Sequence, residues 1–396
     1  MEIKTLIPKY QEYVQQWRRY FHEHPELSNE EFETTKTLAA ELDKMGIPYT
    51  INEETGTGLV GIIKGEKPGK AIALRADIDG LPVEERNTFA FKSKNDGKSH
   101  ACGHDGHMAI LLGAGQMLME ARDQIEGDVY LAFQPAEETG AGAPEFMKFG
   151  DWWSKVDAVF GGHVWIDLPA GLVSVEAGER MAASAVFTIN VKGKTGHGAQ
   201  PHQAIDAIVV SSAIVMNLQT LVSRNFSALD SVVLTIGNIH SGSEWNIIPG
   251  EAQMGGTVRF FKREQEQEIV DKMRRIIEHT AEAYGATATL DYESRVPPTI
   301  NDPASSELAE RVVIEVLGKE KLSPMRKVMA GEDFAWYGVD KPTCFAFIGI
   351  RNPDIDAVYD HHNNRFTMDD TILSAASAVY AQYAVSWLKE HKDDHN

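Results

Sequence analysis

Between His100 and His107 the chain reads His-Ala-Cys-Gly-His-Asp-Gly-His, a thiol, three imidazoles and a carboxylate in eight positions. Glu137-Glu138 and His163 carry the same kind of chemistry further on. Cys, His and Glu bind transition metals, and a Cys-x-His step followed by distant Glu and His suits a site with an open coordination position better than a closed structural zinc. Cys102, His104, Glu138 and His163 are therefore the expected ligands, and metal-assisted hydrolysis is the expected chemistry.

A buried thiol beside a satisfied histidine would explain a lone Cys-x-His. Here His100, Asp105 and His107 crowd the same loop, and burying that many polar groups without compensation is costly. Pro135 and Gly140 keep Glu137-Glu138 in a tight turn rather than a helix. Beside a metal, one of two adjacent acids can coordinate while the other takes a proton from acidified water, which assigns Glu138 to the metal and Glu137 to proton transfer. A rival chemistry, with Cys102 as attacking thiolate and a histidine as base, leaves Glu137, Glu138 and His163 without a role. The pair His361-His362 is either an exposed turn or a late source of ligands.

The elements that must position these groups read as strands and helices in alternation, the mark of an α/β domain. A helical opening spans about Leu6 to Met45, candidate strands cover Leu59 to Ile63, Ala71 to Arg75, Val129 to Phe133, Val156 to Phe160 and Thr343 to Ile350, and a helix is expected from His107 to Ala121. Asp77 and Asp79, Glu137-Glu138 and His163 each follow a strand, and sites in open α/β sheets form beyond the carboxyl ends of strands. From about Met181 to Arg295 the order changes to β-α-β-β-α-β, a ferredoxin-like signature, and Val296-Pro297-Pro298 returns the chain to the first domain. A terminal helix is expected over about Met368 to Lys389, with Glu390 to Asn396 frayed beyond it.

Gly56-Thr-Gly58-Leu-Val-Gly61 matches a dinucleotide-binding pattern letter for letter, but a strand follows it where the pyrophosphate would need a helix amino end, so no nicotinamide or flavin is expected. Lys and Arg number 38 against 58 Asp and Glu, a net charge of −20, which disfavours nucleic acid and anionic membrane as partners. Only Cys102 and Cys344 are present, the amino terminus lacks a signal-peptide pattern, and no run of about 18 apolar residues is evident. A cytoplasmic protein is expected. Trp152, Trp153 and Trp165 could line a pocket, though large aromatics more often fill a core.

With these residues assembled, the chain resembles the aminoacylase, hippurate hydrolase and indoleacetyl-amino-acid hydrolase family of two-metal peptidases along nearly its whole length. The similar blocks are Phe21-His-Glu-His-Pro-Glu-Leu, Leu74-Arg-Ala-Asp-Ile-Asp-Gly-Leu-Pro, His100 to His107, Gln134-Pro-Ala-Glu-Glu, Gly196-His-Gly-Ala-Gln-Pro-His, Asn246-Ile-Ile-Pro, Gly256-Thr-Val-Arg and Gly331-Glu-Asp-Phe. The resemblance implies an α/β, open-sheet metallopeptidase-like catalytic domain over 1–180 and 296–396, with an inserted ferredoxin-like α+β lid and dimerisation domain over 181–295. It implies two divalent ions, zinc or manganese, held by Cys102, His104, Glu138, His163 and a late histidine, with Cys102 bridging and Glu137 as general base. The late histidine is His362, four residues before Phe366, with His361 as the alternative because Asn364 stands where a proline is common. His197 would steady the oxyanion and reach a partner's site in a homodimer, while Asn246 and Arg259 would grip the substrate carboxylate. The implied activity is hydrolysis of N-acyl amino acids. A dipeptidase or carboxypeptidase is the alternative, and a metal-dependent binding protein without catalysis is the rival from another class.

Overall fold

The computed structural model describes residues 2–392, so most of the tail expected to fray, from 393 on, lies outside the described residues. The chain forms two compact units. The larger runs through Arg180, resumes over Ile300–Arg326 and continues from Asp333, while the smaller comprises Met181–Thr299 and Lys327–Glu332.

In the larger unit a seven-stranded sheet has the order Tyr49–Ile51, Leu59–Lys64, Glu126–Gln134, Lys67–Asp77, Ala158–Pro169, Thr343–Arg351, Val173–Ser174. Its centre, from Glu126–Gln134 to Thr343–Arg351, is parallel. These strands are buried along most of their length, as expected of a parallel sheet covered on both faces. Helices Ile7–Glu23, His104–Glu120 and Leu373–Glu390 pack on one another against it. Nearly every residue of His104–Glu120 is buried, so the helix that starts at the ligand cluster is also the centre of the core.

Three expected boundaries shift, each for a local reason. The opening helix breaks into Ile7–Glu23 and Phe32–Met45, because Pro25 lacks the N–H a continuous helix needs. The helix expected from His107 begins at His104, directly after Gly103, whose φ of 91° ends the preceding turn. Finally, the strand expected to stop at Phe160 runs over Ala158–Pro169, because it keeps its pairing with Thr343–Arg351 after parting from Lys67–Asp77 at the Leu74–Phe160 pair. His163 therefore lies inside a strand, not beyond one.

The smaller unit holds Ala183–Lys192, helix Ala207–Arg224, Val233–Ser241, Glu251–Phe260, helix Gln265–Ala283 and Thr287–Val296, a β-α-β-β-α-β order. Its strands form an antiparallel sheet with Val233–Ser241 and Thr287–Val296 at the edges. Ile189, Ile214, Leu218, Met254, Met273 and Ile277 are fully buried in a core separate from that of the larger unit. Asp206 caps the first helix by accepting from the Ile208 and Val209 N–H groups. That helix, with a mean hydropathy of 1.4, is long and apolar enough to cross a membrane by length and composition, which corrects the expectation that no such run exists. Its Val210, Ile214, Leu218 and Leu221 belong to the core of the unit, while Ile208, Val209, Met216 and Val222 are exposed.

Candidate metal and catalytic site

The geometry begins with Gly103. In its left-handed conformation a Cβ would lie 2.3 Å from Val164 Cγ2, so only glycine lets the segment from Cys102 to His104 press against the His163 strand. As a result Cys102, His104 and His163 offer ligand atoms within 4.8 Å of one another, and so do Cys102, Glu138 and His362. The Cys102 thiol is common to both groups, and its Sγ is 3.4 Å from His163 Nε2.

Asp79 couples two of these residues through one carboxylate. Oδ1 lies 3.2 Å from His104 Nδ1, and Oδ2 accepts from the Glu138 N–H at 3.1 Å and from the Ser28 hydroxyl at 2.6 Å. Glu31 accepts from the Ala136 N–H at 2.9 Å, holding that residue at a positive φ of 59° just before the acidic pair. Glu137 is nearly buried, and its Oε1 takes the Asp333 N–H at 3.3 Å. Behind the site Arg75 pairs with Asp77 and Asp333, each at 2.8 Å, and bonds Gln134.

Of the late histidines, His362 Nε2 lies 3.5 Å from Glu138, and the residue adopts a φ of 66° while its N–H donates to the Ala101 carbonyl. His361 instead directs Nε2 to the Val164 carbonyl at 2.9 Å. His107 is also committed elsewhere, to Asp77 at 2.5 Å and to the Val164 N–H at 2.9 Å. His100 is buried away from both groups, and burial pulls it down to about 4. Trp152 is core, donating to the Phe146 carbonyl, and the Trp153 ring packs beside it, whereas the Trp165 ring stands 5.5 Å from that of His163.

The charge state fits a cation. Two buried atoms, His104 Nε2 and Glu138 Oε1, have no hydrogen-bond partner among the described residues. Burial opposes charging of His104, but Asp77, Asp79 and Glu138 outweigh it and raise the imidazole to about 10. Burial first, then Glu138, Glu137 and Asp77, hold the Cys102 thiol well above its ordinary value. A nucleophilic cysteine requires the opposite environment. A divalent ion would supply the charge this cluster lacks and deprotonate the thiol outright.

His197, Asn246 and Arg259 belong to the smaller unit. The His197 strand pairs with the Ile247–Ile248 strand next to Asn246, so these two residues share one short ribbon. The Ala199 N–H donates to His197 Nδ1 at 3.0 Å, which leaves Nε2–H as the outward donor of the neutral ring. Arg259, on strand Glu251–Phe260, is half-buried and forms no ion pair among the described residues.

The family model for peptidase family M20/M25/M40 matches residues 73–386. The chain belongs to that family. It is thus a hydrolase, and the M20 assignment is supported by an N-acetylcysteine deacetylase of Bacillus subtilis, 40% identical over 95% of this chain and 97% of its own. A thermostable carboxypeptidase of Saccharolobus solfataricus is 36% identical over 98% of each chain. Among solved structures, a dinuclear metal binding peptidase of the M20 family from Bacillus subtilis superposes with a TM-score of 0.86 at 34% identity, over 96% of this chain and 99% of that one.

Asp77, Asp79 and His107 stand with the M20 cluster as supports to other side chains. The sequence reading missed Glu31, Arg75 and Asp333 as functional supports. Nothing in the spacing of Arg75 and Asp333 signals a pairing across 258 positions.

Proposed function

We propose that this M20 hydrolase cleaves the amide bond of N-acyl amino acids, releasing a carboxylic acid and a free amino acid. The observation that carries the reading is a buried thiol shared by two ligand groups, with Glu137 held beside them. Cys102, His104, Glu138, His163 and His362 would hold two divalent ions, which when bound supply Lewis acidity and acidify water. The thiolate leans toward zinc, and manganese also suits the imidazole and carboxylate donors.

Glu137 accepts the proton of the attacking water and returns it to the departing amine nitrogen. The Asp333 N–H, bound to Oε1, fixes the carboxylate plane while the proton moves. In a homodimer His197 reaches the partner's site and donates through Nε2–H to the developing oxyanion there. Arg259, with no ion pair among the described residues, binds the substrate carboxylate as a charged fork, with Asn246 as a supporting amide donor.

A homodimer fits the surface of the smaller unit, where Ile208, Val209, Met216 and Val222 expose the outer face of one helix and Val233–Ser241 is an edge strand. Such faces invite association. Two cysteines, both free, suit a cytoplasmic setting. A peptide with a free carboxyl end would meet the same guanidinium, so carboxypeptidase action is the alternative.

The test is amine release from N-acetyl, N-benzoyl and long-chain acyl amino acids and from free dipeptides, before chelation, after it, and after zinc or manganese is restored. Activity on the acylated substrates that vanishes and returns supports the proposal. Turnover confined to dipeptides, or silence with metal bound, refutes it.

A further inference from the structure

Two histidines beside the candidate ligand cluster have no part in the proposed chemistry, and both end on the backbone of the same residue, Val164. Registered pairing between Lys67–Asp77 and Ala158–Pro169 stops at Leu74–Phe160, so further along that edge the second strand has lost its neighbour. At Val164 imidazoles take up its backbone groups. The Val164 N–H donates to His107 Nε2 at 2.9 Å, which puts the proton of that ring on Nδ1, directed to Asp77 at 2.5 Å. The Val164 carbonyl accepts from His163 Nδ1 at 2.7 Å and from His361 Nε2 at 2.9 Å, filling both of its lone pairs.

His163 therefore takes its tautomer from a carbonyl belonging to the next residue. With the proton on Nδ1, Nε2 is the lone pair turned toward Cys102. The carbonyl is in turn held by His361, whose ring packs 4.7 Å from Trp165, 5.0 Å from Phe366 and 5.1 Å from His163. We propose that His361 is a positioning residue: with His107 it stands in for the missing strand, and by locking the Val164 carbonyl it fixes the tautomer and ring direction of His163, and so the metal affinity of that side of the site. This rests on the reading of His163 as a ligand. It also gives the His-His pair two distinct functions, His362 facing the ions and His361 facing the peptide that aims a ligand.

The test uses full-length protein freed of metal and titrated with cobalt(II), following thiolate-to-cobalt charge-transfer absorption from Cys102 and affinity by chelator competition, with kcat and KM measured separately. H361F keeps an aromatic ring but cannot donate, whereas H361Q can. We expect H361F to bind one of two cobalt ions about 10- to 100-fold more weakly, the usual cost of losing a partner that orients a ligand, with altered charge-transfer intensity and a lowered kcat. H361Q should restore all three. Should H361F not fold, H361N, too short to reach the carbonyl, takes its place. Unchanged cobalt affinity in H361F, or equal losses in H361Q and H361F, overturns the positioning role. An H163A protein that still binds as many ions as wild type overturns instead the reading of His163 as a ligand, so the two failures are distinguishable.

Discussion

Glu31 makes the sharpest test of the electrostatics. Its side chain is fully buried, Oε1 is fixed by the Ala136 N–H, and Oε2 has no hydrogen-bond partner among the described residues. Burial, and then the negative charge of Asp79, raise its pKa from 4.5 to about 8 against the pull of backbone donors. The sign follows from which state holds the proton. Between pH 4.5 and about 8 the unfolded chain has released a proton that the folded protein retains, so stability falls as pH rises through that window and levels off above it. At roughly 1.4 kcal/mol per tenfold, the cost accumulated by pH 8 is on the order of 4 kcal/mol, as an upper bound. Glu31→Gln keeps the acceptor for Ala136 and removes the ionisation. In the metal-free protein, calorimetry at a series of pH values should find little difference between variant and wild type near pH 4.5. By pH 8 the variant should melt several degrees higher, at about 2 °C per kcal/mol for a chain of this size. A melting difference that stays constant from pH 5 to pH 8, or a variant less stable than wild type at pH 8, would refute the argument.

Three other outcomes follow from the same geometry. Glu137→Gln should lower kcat by about 10²- to 10⁴-fold, the usual worth of a general base, with metal content unchanged; metal lost on dialysis would contradict the role. Because both ligand groups share one thiol, Cys102→Ala should weaken both ions together, and elemental analysis finding two tightly held ions per chain would count against a bridge. Arg259→Met should raise KM at least tenfold for N-acyl amino acids, in line with the loss of a charged pair worth about 1.5 to 3 kcal/mol, yet leave KM nearly unchanged for substrates whose carboxylate is amidated; equal losses on both would remove the carboxylate-binding role.

What could be read from the sequence is what local pattern encodes. Apolar runs marked the central strands, and Cys102, His104, Glu138 and His163 could be singled out as candidate ligands because Cys102 and His104 stand two positions apart and because Glu138 and His163 follow or lie on strands of one sheet. Periodicity did not reveal that His163 sits within its strand, since the extension depends on pairing with Thr343–Arg351, a segment from the far end of the chain. Residue type does not separate His361 from His362 either; the structure places His362, at a φ of 66°, beside Glu138 and His361 on the Val164 carbonyl. The polar supports were hidden for the same reason: Glu31 meets Ala136, and Arg75 meets Asp333, through single contacts between distant segments that leave no periodic trace.

Those supports explain why the site, rather than its surroundings, calls for a cation. Apart from Glu31, which keeps its proton, the buried carboxylates behind the candidate ligand cluster are compensated by cationic side chains. Arg75 bonds Asp77 and Asp333, and Arg18, fully buried, lies 3.0 Å from Asp105, a charge-to-charge contact without hydrogen-bond alignment, and 3.8 Å from Asp370. His22 bridges Asp105 and Glu85. Around Cys102 the arrangement differs. No lysine or arginine pairs with Glu138 among the described residues; its charged neighbours are the imidazoles of His362 at 3.5 Å and His104 at 3.9 Å. A guanidinium there would have satisfied the acid at the cost of the lone pairs that ligands need. Confining the arginines to the rear of the site leaves imidazole, thiol and carboxylate at the front, a group that is costly to keep buried without a cation and that can exchange protons with a metal instead.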